Sequence, residues 1–280
     1  MPSLLIVGGL TVDRFTDGSR APGGSVLHSG VAAIAEGADL AVLTVAGDEP
    51  EARAGIGRLE QLGTVLCQPS TATTTYRHEE ADGRRVLVYE ARSAQIDPAG
   101  IERLPAVDVV LVAPIADELP AEAIARLRDA LPTARTVVLI QGWLRQLGIG
   151  EPVRPMRLDE LPDITWQAFQ DADAVVLSNE DFASDTDDAF AQSAAVRARI
   201  GPRPLLVLTL ATRGYLLDDP GADRVIASVP RNVVAGVPMV GAGDTFGAGL
   251  AIALARGAVP ADAAEAATER VIAVLESRRA

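Results

Sequence analysis

Short apolar runs alternate with helical patterns from one end of the chain to the other, and few folds accommodate that order. The runs "SLLIV", "LAVLTV", "VDVVLVAP", "RTVVLIQG", "DAVVLS" and "PLLVLTL" are continuously apolar at their centres instead of alternating with polar residues. A strand of that kind is buried on both faces, as in a mostly parallel sheet covered by helices. Between the runs lie "PEARAGIGRLEQLG", "AEAIARLRDA" and "DAFAQSAAVRARI", all with helical spacing, and a small-residue helix pattern that starts near Gly24. This order predicts an α/β fold, a three-layer sandwich whose ligands meet the C-terminal ends of the strands.

Two segments break the pattern. "GGLTVDRFTDGSRAPGG" and "TATTTYRHEEADGRRVLVYEARSAQ" are polar and rich in Thr, Arg and Glu. The second reads as a hairpin about the turn "ADG". Paired with each other, residues of about 10–22 and 71–95 would form a small β lid beside the main sheet; a solvated charged face is the alternative. With no long linker, internal repeat or low-complexity tract, residues 1–280 read as one domain carrying that lid.

Composition removes several functions. A formal charge of −13 argues against nucleic acid, whose binding rests on Lys and Arg neutralising phosphates. The chain has no lysine, so all 25 of its Lys-plus-Arg residues are Arg. A Walker-type phosphate loop and protein-kinase chemistry both need a Lys, so phosphate chemistry here must rest on backbone N–H groups, Arg and a metal. Cys67 stands alone, so no internal disulfide forms, and it reads as a small buried hydrophobe. His28 and His78 are too few for a His-rich metal site. "DFASDTDDAF" lacks the Gly and Glu of a calcium loop, and "IVGGLTVD" lacks the glycine spacing of a dinucleotide fold. The N-terminal apolar run is too short for a signal peptide or a membrane span and has no basic region before it. A cytoplasmic protein with no membrane partner is expected.

Near the C-terminus the chain reads "VGAGDTFGAG", residues 240–249. Phe246, Leu250 and Leu254 follow at helical spacing, and Gly257 is the stop signal. Gly241, Ala242 and Gly243 therefore lie at a helix N-terminus, where free N–H groups and the positive end of the dipole favour an anion. Asp244 has two readings there. It is an acid that suits a helix start by ~0.3–1 kcal/mol, or a base that takes a proton from a hydroxyl attacking a phosphoryl group held on the amides.

At this point the chain resembles the PfkB/ribokinase family of carbohydrate and nucleoside kinases, over nearly all 280 residues. The family's C-terminal signature, ending Gly-Ala-Gly-Asp, occurs as "PMVGAGD", and its general base falls on Asp244. Its Gly-Gly signature occurs as "PGGSVLH", which marks Gly23, Gly24 and His28; His28 replaces a substrate-side Asn. An upstream Asp that binds substrate hydroxyls matches Asp13, whose alternative is a plain turn residue. The nucleotide-side motif occurs as "TLATRG", placing Thr209 and Gly214 near ATP phosphates, with Ala211 in place of a Gly. Arg213 beside them either takes the β-phosphate or is solvated. Thr268, in the last helix, matches an adenine-side position. "LSNEDF" aligns with the family's magnesium-organising motif as Ser178 and Asp181, Asp181 acting through water. In "QGWLR", after a strong strand, Trp143 caps the core, and Arg145 binds a substrate anion or the migrating phosphoryl group, or is a surface residue.

The resemblance implies ATP as co-substrate, Mg²⁺, a lid over the substrate, and pairing of two copies through that lid. Pro238 and Met239 stand where the family has Asp and Thr, which weakens the expectation of a monovalent cation. The lid is polar, and the chain has only three Tyr, five Phe and two Trp, which favours a small sugar or polyol over a nucleoside. "PGGSVLH" together with "QGWLR" resembles the inositol-kinase branch. The motif departures motivate a rival from another class, a small-molecule-binding or regulatory protein on a kinase scaffold.

Overall fold

The computed structural model describes residues 1–81, 84–234 and 236–279. Its main sheet has nine strands. From one edge the order is Arg224–Ser228, Tyr215–Asp219, Leu205–Thr209, Ala174–Ser178, Arg135–Leu139, Val109–Ala113, Ser3–Gly8, Asp39–Ala46 and Thr64–Pro69. Every neighbouring pair is parallel except those made by the first two strands, which form an antiparallel hairpin on the edge. The sequence pattern singled out the buried parallel strands but not this hairpin, whose outer strand is largely exposed.

Among the described residues seven α-helices cover the sheet: α1 Ser25–Ala35, α2 Pro50–Glu60, α3 Glu122–Ala130, α4 Asp163–Gln170, α5 Ala189–Ile200, α6 Ala242–Ala255 and α7 Pro260–Ser277. The alternation of side chains along each strand divides them into two layers. In the strand Ser3–Gly8, Leu4 and Ile6 enter the core shared with α1, α6 and α7. Leu5 and Val7 enter the opposite core, with Ile124 of α3, Trp166 and Phe169 of α4, and Val196 of α5. Three layers result, as the unbroken apolar runs required. Cys67 sits half-buried on the edge strand, packed against the first core as a small hydrophobe.

Ser3–Gly8 and Val109–Ala113 flank a switch in strand order. Ser3–Gly8 lies between Asp39–Ala46 and Val109–Ala113, so the chain winds one way from it and then the other. That is where an open α/β sheet leaves a crevice beyond its carboxyl ends. α6 runs up beneath the crevice and is buried from Thr245 to Leu254, its small residues letting it lie close to strand Arg135–Leu139 and to α7. Each fully buried Leu or Ile of such a helix contributes about 1.5–3 kcal/mol.

The two polar segments do pair. A second sheet has the order Glu151–Pro152, Arg84–Ala91, Thr74–Ala81, Thr11–Arg14 and Arg20–Gly23. Thr11–Arg14 runs parallel to Thr74–Ala81, and Thr74–Ala81 is antiparallel to Arg84–Ala91. Asp82 and Gly83 of the expected "ADG" turn lie outside the described residues. Among the described residues no helix is long and apolar enough to cross a membrane.

Candidate functional site

One cavity of about 660 Å³ opens at the carboxyl ends of the central strands, running from the lid sheet past the start of α6 to α7. At the lid end stand Thr11, Asp13, Tyr76 and His78 from the second sheet, and Gly24 and His28 from α1. Thr11 Oγ1 donates to Asp13 Oδ1 at 3.2 Å. Gly23 is off the cavity wall but makes room for that carboxylate, since a Cβ at Gly23 would collide with Asp13 Oδ2. Gly24 caps α1 at φ +98°, in the region that disfavours side chains, pressed against the Gly9 carbonyl and Thr11 amide. The Gly-Gly pair thus serves one residue each: Gly23 seats an acid, and Gly24 starts a helix.

The middle of the cavity is the N-terminus of α6. Gly241 caps the helix at φ +75°, and a Cβ there would run into the His28 ring. His28 therefore packs on the turn itself. Nothing lies within 4 Å of where a Cβ of Gly243 would stand, so the cavity comes right up to the backbone at this residue. The Ala242 N–H, expected to face an anion with its neighbours, donates instead to the Met239 carbonyl at 3.1 Å. Gly241 and Gly243 thus remain the residues of this turn whose amides could meet an anion, with the Ala242 amide holding the turn. Asp244 lines the cavity in the first helical turn. Burial pushes its carboxyl above the usual carboxylate range, and the charges of His28 and Arg145 pull it back. Ser29 Oγ donates to the Asp244 carbonyl at 3.1 Å and ties α1 to α6 at this level.

Arg145 and Asp181 form the floor. Arg145 Nη1 donates to the Ile115 carbonyl at 2.6 Å and meets the Tyr76 hydroxyl at 3.3 Å, with the guanidinium over the Tyr76 ring at 5.5 Å. These are neutral partners, so the cation is anchored while its charge acts on Asp244 and Asp181. Asp181 accepts from the Ser178 amide at 2.6 Å and from Gln141 Nε2 at 2.7 Å. Burial raises its pKa, and these two donors and Arg145 oppose the shift. Trp143 packs against Phe169 in the core instead of reaching the cavity. Glu118, which no sequence motif marked, is 1% exposed and accepts from the amides of Ile115 and Ala116 at 2.7 and 2.8 Å. It shapes the loop whose carbonyl anchors Arg145.

At the far end Thr209, Ala211, Thr212 and Gly214 face apolar Val233 and Val234 and, from α7, Thr268, Val271, Ile272 and Leu275. Gly214 has φ +95°, and a Cβ there would overlap the Ser228 carbonyl. Ala211 keeps φ +50°, the left-handed conformation a Gly would adopt freely, at a cost of about 1–2 kcal/mol. Arg213 is exposed and off the wall, where its neighbour Thr212 stands. Thr268 lines the wall while its hydroxyl donates back to the Ala264 carbonyl at 2.9 Å. Among the described residues no group of three or more His, Cys, Asp or Glu is placed to hold a metal.

The start of a helix, with a half-buried acid in its first turn, thus lies in one cavity with a β lid and an apolar slot, on an α/β sandwich. The chain matches the pfkB family of carbohydrate kinases over residues 8–277 and belongs to that family. Its fold is ribokinase-like. A pyrophosphate-dependent kinase in the ribokinase family, complexed with a pyrophosphate analog and myo-inositol, superposes with TM-score 0.76 at 17% identity, covering 95% of this chain and 92% of the other. Arabidopsis thaliana ribokinase complexed with ribose and ATP gives 0.72 at 14% identity, over 98% and 99%. Fructokinase from Vibrio cholerae O395 in apo form gives 0.72 at 21%, over 100% of both. No curated protein matches the chain.

Two implied ions can be tested against the residues present. Mg²⁺ takes hard oxygen ligands, keeps several waters, and needs only one or two carboxylates beside substrate phosphates. Glu180 and Asp181 on the cavity wall fit that need, through water. A monovalent cation beside the cradle does not fit. Pro238 and Met239 supply no carboxylate, and the Pro238 carbonyl already accepts from Arg278 Nη1 at 2.6 Å.

Proposed function

We propose that the chain transfers the γ-phosphoryl group of ATP to a hydroxyl of a small sugar or polyol. The observation that carries this reading is Asp244. It is a half-buried carboxyl at the start of α6, beside helix-start amides, in a cavity that reaches both a polyol-suited acid and an apolar slot. Asp13 at the lid end accepts acceptor hydroxyls, which an acceptor-only carboxylate does two at a time. Asp244 takes the proton of the attacking hydroxyl. The Gly241 and Gly243 amides and the Arg145 guanidinium stabilise the charge that spreads over the equatorial oxygens during transfer. Val233, Val234, Val271, Ile272 and Leu275 enclose an adenine ring, with Thr209 and Gly214 toward the phosphates. Glu180 and Asp181 would hold the waters of Mg²⁺, which supplies charge neutralisation across phosphate oxygens when bound. Pairing of two copies through the lid belongs to the same reading.

The experiment is turnover with Mg²⁺ across sugars, inositols and nucleosides, read as ADP release with ATP as donor and as orthophosphate release with pyrophosphate as the competing donor. Turnover on a sugar or polyol with ATP is expected. Turnover with pyrophosphate alone would reassign the donor. Silence throughout, with ligand binding seen by thermal shift, would leave a small-molecule-binding protein on a kinase scaffold.

A further inference from the structure

His78 takes no part in the mechanism above, yet it stands beside Asp13 on the cavity wall. The parallel pairing of Thr11–Arg14 with Thr74–Ala81 sets Asp13 opposite Tyr76. Tyr76 and His78 are two residues apart, so both side chains emerge on the same face of the lid sheet, toward the cavity. His78 is 7% exposed. Its Nε2 lies 3.5 Å from Asp13 Oδ1, and the Phe15 ring covers the imidazole at 4.7 Å between centroids. Thr11 Oγ1 shares the same carboxylate oxygen, and the missing side chain of Gly23 leaves room beside Oδ2, the other oxygen of Asp13.

A separation of 3.5 Å is at the long limit for a hydrogen bond, and both groups are largely withdrawn from water. A hydroxyl is the one common ligand group that donates and accepts through the same atom. Seated at this edge, an acceptor hydroxyl donates to Asp13 and accepts from the His78 N–H, so two short bonds replace one long contact. We propose that His78 is an acceptor-binding and specificity-determining residue that completes a clamp with Asp13. The clamp selects polyols carrying adjacent hydroxyls at carbons other than the one phosphorylated: one hydroxyl bridges Asp13 and His78, and its neighbour takes the remaining capacity of Asp13. This rests on the reading that the lid end of the cavity holds the acceptor.

The test uses the acceptor that turns over best in the panel, and its deoxy analogue lacking one of the adjacent hydroxyls. KM for acceptor, KM for ATP and kcat are compared for wild type, His78→Ala and His78→Gln. Losing a hydrogen bond at a buried site should raise acceptor KM about 10- to 100-fold in His78→Ala. KM for ATP should stay within twofold, and His78→Gln, which keeps an N–H donor, should recover most of the loss. The deoxy analogue should be penalised in wild type and hardly at all in His78→Ala. An unchanged acceptor KM, or an equal deoxy penalty in wild type and variant, overturns the proposal while leaving the kinase reading intact. A panel silent for wild type overturns the kinase reading instead; polyol binding by calorimetry then decides for His78, equal affinity in wild type and variant overturning it. Should His78→Ala not fold, His78→Gln against the deoxy analogue gives the same comparison.

Discussion

Asp244 shows why one carboxyl can be costly and useful at once. Burial raises its pKa above the usual carboxylate range, partly offset by His28 and Arg145. A carboxylate lifted in this way is a stronger base than a solvated Asp. Asp244→Asn should lower kcat by roughly 10²–10⁴ with folding intact. The acid limb of the wild-type kcat/KM profile should lie above the ordinary Asp pKa of about 3.9, and a limb at or below that value would argue against Asp244 as the titrating base. The stability sign is opposite to that of a salt-bridged acid. The folded pKa is raised, so the group favours folding below the unfolded pKa, and that contribution is lost as pH rises through the folded one. Asp244→Asn should therefore melt above wild type at pH 7, and the gap should close in acid, which thermal denaturation at several pH values checks.

At the level of the element, the site depends on how α6 begins. Helix-start amides face outward in any helix. Here the approach of His28 from α1 and the left-handed Gly241 decide where they point. Gly241→Ala places a methyl group against the His28 ring in a backbone conformation that disfavours side chains. The turn must shift, so kcat should fall at least tenfold while the acceptor still binds, and a kinetic comparison with equilibrium binding of the acceptor separates the two. Full activity would mean that the turn is not the cradle. The loop after strand Val109–Ala113 is built in the same way. Glu118 holds the amides of Ile115 and Ala116, and the freed Ile115 carbonyl receives Arg145 and the Tyr76 hydroxyl. One buried acid thus sets a cation, a lid residue and a strand end in register.

Across the whole molecule, the cavity joins parts that are far apart in sequence: the lid strands, the ends of the central strands, α6 and α7. The segment leading into the cradle is tied to α7 by two arginines, Arg231 to Glu265 and Arg278 to the Pro238 carbonyl. The Pro238 carbonyl is taken by the Arg278 guanidinium, and neither Pro238 nor Met239 offers a carboxylate to a monovalent cation. Turnover should therefore differ by less than twofold when potassium is replaced by a large organic cation at constant ionic strength, and severalfold activation by potassium would show a site elsewhere. The sequence by itself determined the layers and the glycine-rich turn that starts α6, because unbroken apolar runs leave a strand no exposed face and a glycine-rich turn before an apolar helix is a local matter. It also marked Asp13, Gly24 and Asp244, each of which sits within a short motif. Only the tertiary structure decided which residues share the cavity. Gly23 serves Asp13 instead of a ligand, Arg213 points to solvent, and the Ala242 amide turns back on Met239. His78 and Glu118 carry no local signal, because what matters about them is a partner tens of residues away along the chain or a backbone loop shaped by packing. Spacing along a chain records the periodicity of helices and strands, but not the register in which a lid sheet meets a strand end.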